Sequence, residues 1–212
     1  MGLLFRKGTA LEALARADTV VLDKTGTLTR GKPTLVRVLP FGLSQEEALR
    51  LAAALERGSE HPLAKAVLEA AESLPQAQAE EVRALPGEGV EGRVEGRRLH
   101  LGGPALMERL GVPLPEEAKA LPEEGYTPLY LVEGTRLLAA FAVFDPPRPE
   151  AQEAVAALKA LGLKLVLLTG DHPAPARRVA EALGIPEVLA GVRPEGKVEA
   201  IRRLQAEGRK VV

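Results

Sequence analysis

The chain has 212 residues, 46% of them apolar but only 3% aromatic, so its core is built from Leu, Val, Ala and Ile and suits one large domain or two modest ones. Its 28 basic and 29 acidic residues leave a net charge of -1, without the cationic excess that a nucleic-acid surface needs. With no cysteine, disulfides, iron–sulfur clusters and thiolate metal sites are excluded, and neither a bilayer-spanning run nor the apolar core of a secretory signal is visible.

In chain order, Thr9 to Arg16 predicts a short helix. Asp18-Thr-Val-Val-Leu-Asp23 is a compact apolar run ending in a carboxylate, the pattern of a buried parallel strand. Lys24 to Lys32 reads as a Gly- and Thr-rich loop, and Thr34 to Leu39 as a strand. Ser44 with Glu47 three residues on forms a capping-box pattern that opens a helix to about Arg57. His61-Pro62 opens another, to about Ser73. The period then shortens to that of strands at Glu80–Leu85, Gly89–Glu95 and Arg97–Leu101. Pro104–Leu110 and Glu116–Leu121 read as helices, and Thr127–Val132 with Arg136–Phe144 as a hairpin.

Asp145-Pro-Pro-Arg-Pro149 breaks the pattern. Beyond it, helices Glu150–Leu161, Pro173–Leu183 and Glu195–Glu207 alternate with strands Leu163–Thr169, Glu187–Ala190 and Arg209 onward. That rhythm predicts a doubly wound parallel α/β sheet. The strand at Thr19–Leu22 joins it by character. The hairpin-rich middle is an α+β insertion, giving one domain from 1–33 and 142–212 and a second from 34–141.

Asp23-Lys24-Thr25-Gly26-Thr27-Leu28-Thr29 directly follows the first strand. In open α/β sheets ligands bind at the carboxyl ends of strands, where a carboxylate can attack a phosphoryl group. A loop with Gly26 and flanking hydroxyls can turn its N–H groups onto phosphate oxygens. Taken alone, a carboxylate before a polar turn fits a plain strand end equally well.

The uninterrupted string Asp-Lys-Thr-Gly-Thr resembles the phosphorylation signature of the P-type ATPases, a branch of the haloacid-dehalogenase-like superfamily. The resemblance implies that Asp23 accepts phosphate from ATP with Mg²⁺ present, and that Lys24 and Thr25 belong to the catalytic loop. It also implies that Thr25 contacts the phosphoryl group and, through its carbonyl, the metal, so Asp23 and Thr25 are the expected metal contacts. Related phosphatases carry an Asp at the position of Thr25. Without that local base the acyl phosphate should persist. Thr169-Gly170-Asp171 resembles the family's phosphate-holding segment, although Asp171 also fits a helix cap. Lys197 resembles the lysine that neutralises the transferring group.

In the insertion, Ser59-Glu60-His61-Pro62-Leu63 resembles the His-Pro signature of heavy-metal-transporting members, whose His orients adenine. Glu56 matches an acid near the adenine amino group, and Gly87-Glu88-Gly89 a loop beside the nucleotide. Gly87-Glu-Gly-Val-Glu-Gly92 also fits a dinucleotide fingerprint, but that motif requires a following helix, and alternating strand residues follow here. Leu101-Gly102-Gly103 stands where the family usually has Val-Gly-Asn. Gly102 is therefore an expected nucleotide contact, while Gly103 lacks the amide and should weaken the hold on ATP.

The resemblance implies that the chain is the cytoplasmic ATP-binding and phosphorylated unit of a heavy-metal pump. Its transmembrane helices, actuator domain and transported cation would lie elsewhere in the protein, at a cell membrane. Copper(I) is the preferred ion, with zinc or cadmium transport and a capped phosphatase as alternatives. The family's Gly-Asp-Gly-x-Asn-Asp string does not occur in this sequence, so an incomplete metal site and sheet are expected, with ATP bound but phosphoryl transfer poor or absent.

Overall fold

A computed structural model of the chain describes residues 15–170 and 172–212. The expected Thr9–Arg16 helix lies almost wholly outside these residues, and Asp171 lies outside them too. In chain order the described residues run through β1 (Thr19–Asp23), a single π-helical turn (Lys24–Leu28), β2 (Thr34–Pro40), α1 (Gln45–Glu56) and α2 (Pro62–Ala70). Strands β3 (Ala79–Leu85), β4 (Gly89–Val94) and β5 (Arg97–Gly102) follow, then α3 (Pro104–Leu110) and the short α4 (Glu116–Lys119). A hairpin of β6 (Thr127–Glu133) and β7 (Arg136–Phe144) leads to α5 (Pro149–Ala160) and β8 (Lys164–Leu168). The chain ends through α6 (Pro173–Leu183), β9 (Glu187–Leu189) and α7 (Lys197–Ala206). No described helix is long and apolar enough to cross a membrane.

The chain divides into two compact units, Met1–Gly31 with Pro147–Val212, and Lys32–Pro146. The expected border at 141/142 falls within β7. Ala142, Val143 and Phe144 are paired to β2, and Ala142 and Val143 also to β6, so these residues stay with the insertion.

In the first unit β1, β8 and β9 form a parallel sheet in that order. Val211 makes a parallel bridge to Thr19 on the other edge of β1, where Val212 N–H also donates to the Thr19 carbonyl at 2.9 Å. The chain thus builds outward from β1 through β8 and β9, then returns to the far side of β1. The strand order reverses at β1, which places Asp23 at the carboxyl end of the strand at the switch point, where open α/β sheets bind their ligands. The sheet is apolar where it must be: Leu165, Val166, Leu167 and Leu168 are buried, and Ala176, Val179, Ala180 and Leu183 of α6 are buried as well.

The second unit is a six-stranded antiparallel sheet ordered β2-β7-β6-β5-β4-β3. Both faces are covered. On one face Ala48, Leu51, Ala52 and Leu55 of α1 join Leu99, Leu101, Leu131 and Phe141. On the other, Leu106 and Met107 of α3 and Leu121 join Tyr130, Val132, Ala140 and Ala142. Two-sided burial explains why β7 reads as an unbroken apolar run rather than an alternating one. Tyr130, fully buried, donates its hydroxyl to the Ala118 carbonyl at 2.8 Å and ties α4 to the sheet.

Two local expectations are refined. Ser44 Oγ accepts the Glu47 N–H at 3.1 Å, but the Glu47 carboxylate turns to Arg50 at 2.7 Å, so the capping box forms on one side. Lys24–Lys32 begins with the π turn instead of an irregular loop, closed by the Thr29 N–H donating to the Lys24 carbonyl at 3.1 Å. Gly87-Glu88 forms the turn of the β3–β4 hairpin, and a strand follows, so the dinucleotide fingerprint has no helix to open.

Candidate functional site

Asp23 ends β1, and its pairing register with β8 sets Leu168 opposite it. Thr169 therefore follows immediately on the neighbouring strand. Its N–H donates to the Leu189 carbonyl and its carbonyl accepts the Val192 N–H, both at 3.0 Å. This residue is buried and its backbone is pinned from both sides. At Gly170 an added Cβ would sit 3.3 Å from the Val192 carbonyl oxygen, so the turn after β8 is tight against the loop after β9.

The loop Ala190–Arg193 leads through a 3₁₀ turn at Pro194–Gly196 into α7, whose first residue is Lys197. Lys197 Nζ lies 3.2 and 3.3 Å from the two carboxylate oxygens of Asp23, across 174 positions of sequence. Both side chains are partly open to water, at 32% and 48% exposure. A pair so exposed contributes ~1 kcal/mol or less to stability. A cation held beside a carboxylate in this way can offset anionic charge brought to that end of the sheet. Thr25 is exposed in the π turn, whereas Lys24 is buried beneath it with its carbonyl also accepting Thr29 Oγ1 at 3.3 Å.

The segment Asp145–Pro149, which sequence reading treated only as a break, holds this turn in place. Thr29 bridges to Pro147, Arg148 N–H donates to the Leu28 carbonyl at 2.7 Å, and Arg148 Nε donates to the Thr29 carbonyl at 3.1 Å. The only signal was an Arg enclosed by prolines, which does not say what the Arg reaches.

In the insertion, Glu56 ends α1. It is 8% exposed, and burial pushes its carboxyl up to about 7. From Glu56 to Leu63 the backbone is braced by three bonds in succession. Ser59 N–H donates to the Glu56 carbonyl at 2.9 Å, His61 N–H to Ser59 Oγ at 3.2 Å, and Leu63 N–H to His61 Nδ1 at 3.2 Å. Gly89 and Gly102 have a packing reason of their own. A Cβ on Gly89 would fall 2.1 Å from the Leu101 carbonyl oxygen, and one on Gly102 would fall 2.2 Å from that of Glu88. Gly87 takes φ +75 in the hairpin turn. Gly103 N-caps α3 without a side chain, at φ -88. Among the described residues, then, Asp23, Thr25, Thr169, Gly170 and Lys197 belong to the first unit. Glu56, His61, Gly87, Gly89 and Gly102 belong to the second.

No group of three or more His, Asp or Glu converges among the described residues. Mg²⁺ takes one or two carboxylates and fills its remaining positions with waters and substrate phosphates. Asp23 offers one carboxylate, with Thr25 two residues on in the π turn, so protein groups here could fill only part of such a shell and the rest would fall to water and phosphate.

A model of the haloacid dehalogenase-like hydrolases matches residues 17–212. The copper-transporting ATPase 1 of Rhizobium meliloti is 43% identical over 217 residues, covering 100% of this chain and 26% of the relative. A zinc-transporting PIB-type ATPase solved in its E2.Pi state superposes with a TM-score of 0.83 at 38% identity, over 98% of this chain and 34% of that one. The catalytic domain of the CPx-ATPase CopB-B, studied for its conformational changes upon nucleotide binding, superposes with a TM-score of 0.74 at 25% identity, over 97% of this chain and 74% of that one. The chain thus spans about a quarter of the length of the curated relative it matches. On its sheet topology and the match of that family model, the chain belongs to the haloacid dehalogenase-like hydrolases, and the relatives it resembles along its length are heavy-metal P-type ATPases.

Proposed function

We propose that the chain is the ATP-binding and aspartyl-phosphorylated catalytic unit of a heavy-metal cation-transporting P-type ATPase, with copper(I) export the preferred activity of the whole protein. The observation that carries this is the meeting of Asp23 and Lys197 at the switch-point end of β1. In the proposed reaction an Asp23 carboxylate oxygen attacks the terminal phosphorus of ATP. The O–P bond to Asp23 forms as the bond to the departing ADP oxygen breaks. Lys197 offsets the anionic charge, and Thr169 flanks the acceptor just past the end of β8. Mg²⁺ would sit on Asp23 and the Thr25 carbonyl and neutralise phosphate charge when bound. Thr25 provides no carboxylate to activate water, so the acyl phosphate persists long enough to drive a conformational change.

The insertion, residues 34–141 with the rest of β7, is the nucleotide-binding part. Glu56, His61 and the turn at Gly87-Glu88-Gly89 are its adenine-side residues, with Gly102 behind that turn. In the whole protein, transmembrane helices, an actuator domain and the transported cation are the partners, and the chain works on the cytoplasmic side. The copper preference follows the first relative named above, while zinc is the cargo of the superposed structure.

A phosphatase with a cap domain is the second reading, since the fold is shared. Incubation with γ-labelled ATP and acid quench separates the two. Any label that forms, in whatever yield, is expected on Asp23, labile to hydroxylamine and absent in Asp23→Asn, with negligible turnover of simple phosphate esters. Rapid ester turnover, or label that survives Asp23→Asn, would overturn the proposal.

A further inference from the structure

The turn Gly87-Glu88-Gly89 between β3 and β4 carries a single side chain. Gly87 takes φ +75 and Gly89 φ +151, in a region that glycine enters freely, so the residues flanking Glu88 do little to fix the shape of the turn. The Glu88 backbone is tied on both sides. Its N–H donates to the Leu85 carbonyl at 2.9 Å, and its carbonyl accepts the Gly103 N–H at 3.3 Å, just before α3. Gly102 leaves no room for a side chain there, since a Cβ would fall 2.2 Å from that same carbonyl oxygen. The Glu88 carboxylate goes to α3 as well, where Arg109 Nε and Nη2 both lie 2.7 Å from its Oε2. Helix α3 is a firm base for this grip, because Leu106 and Met107 are buried against Tyr130 and Val132 of the sheet. The pair itself is open to water, at 50% exposure for Arg109 and 29% for Glu88, so it adds little to stability.

We infer that Arg109 is a positioning residue for nucleotide binding, gripping the one side chain of the Gly87-Glu88-Gly89 turn and holding that turn against the start of α3. This rests on the nucleotide-binding reading of the insertion, in which the turn lies beside ATP. Charge and position make opposite demands on the pair. Near a polyanion such as ATP a carboxylate repels and a guanidinium attracts. If charge alone mattered, removing Glu88 would tighten ATP binding and removing Arg109 would loosen it. If the pair sets the place of the turn, losing either partner loosens binding, and losing both costs no more than losing one.

Two measurements on the 212-residue chain decide it. Calorimetry with ATP compares the parent with Glu88→Ala, Arg109→Ala, the double variant and the exchanged pair Glu88→Arg with Arg109→Glu. The expected result is a loss of about threefold to fivefold in each single variant, the scale of one exposed ion pair, with an equal loss in the double variant and recovery in the exchanged pair. Melting temperatures are expected to stay near the parent. Amide exchange without nucleotide reads the turn itself, and the Gly103 N–H is expected to exchange faster in both single variants. ATP binding by Glu88→Ala as tight as the parent's or tighter would overturn the inference, as would losses that add in the double variant or unchanged exchange at Gly103. If the parent binds no ATP, the nucleotide-binding reading fails and takes the positioning role with it. If the parent binds ATP and the variants bind it equally well, that reading stands and the role of Arg109 alone fails.

Discussion

At the scale of single residues, Glu56 shows what burial does to an acid at the end of a helix. A buried carboxyl pushed up to about 7 holds its proton more tightly in the folded chain than in the unfolded one. The folded state is thus favoured while Glu56 is protonated, and stability falls as pH rises from the ordinary glutamate range to about 7. The shift is on the order of 3 kcal/mol. Glu56→Gln is therefore expected to raise the melting temperature at pH 8 and to leave it nearly unchanged at pH 4. If the acid serves the adenine amino group, the same variant binds ATP less well. A variant no more stable at pH 8 would show that the carboxylate is compensated. The glycines divide in the same concrete way. Gly89→Ala drives a Cβ into the Leu101 carbonyl and is expected to cost about 3 kcal/mol or more in a thermal melt. Gly103→Asn meets nothing nearer than the Pro128 carbonyl oxygen at 4.0 Å. It gains a capping amide for α3, and is expected to stabilise by a few tenths of a kcal/mol.

At the scale of elements, the π turn Lys24–Leu28 closes on itself through Thr29 and is held from outside by Arg148. A wide turn of this kind is uncommon and recurs at functional positions. Arg148→Ala removes the bond to the Thr29 carbonyl while leaving the backbone bond from residue 148 to Leu28. Faster amide exchange at Thr29 is expected, with little change in the insertion. Unchanged exchange there would mean that the turn is held by its own sequence. Helix α1 depends on a simpler device. Ser44→Ala is expected to cost about 1 kcal/mol, read by urea unfolding, because one N–H at the helix start loses its acceptor.

At the scale of the whole molecule, the insertion has its own six-stranded sheet, covered on both faces. Residues 32–146 alone are expected to melt cooperatively. Much of this organisation was legible in the sequence, because apolar periods of two and of 3.6 residues report burial, and Pro and Gly mark the joints. Strand β8, helix α6 and the hairpins were readable for that reason. Asp23, Thr169 and Lys197 were legible only through the order of motifs, since nothing local says that position 197 reaches position 23. The π turn was not legible, because its closure is a backbone bond that Gly and Thr permit without requiring. Neither was the Arg148 brace, whose contacts lie 119 positions away. The cap made by His61 escaped as well, because His is not among the favoured capping residues and its role depends on which ring nitrogen faces the helix.

The most direct test of the central proposal is a calorimetric titration of the chain with ATP, with GTP and His61→Ala as controls. Binding of ATP in preference to GTP, weakened in His61→Ala, is the expected result, and it would place the base in the insertion. Absence of ATP binding, or binding indifferent to both the base and His61, would contradict the assignment of the insertion as the nucleotide-binding part of a heavy-metal ATPase.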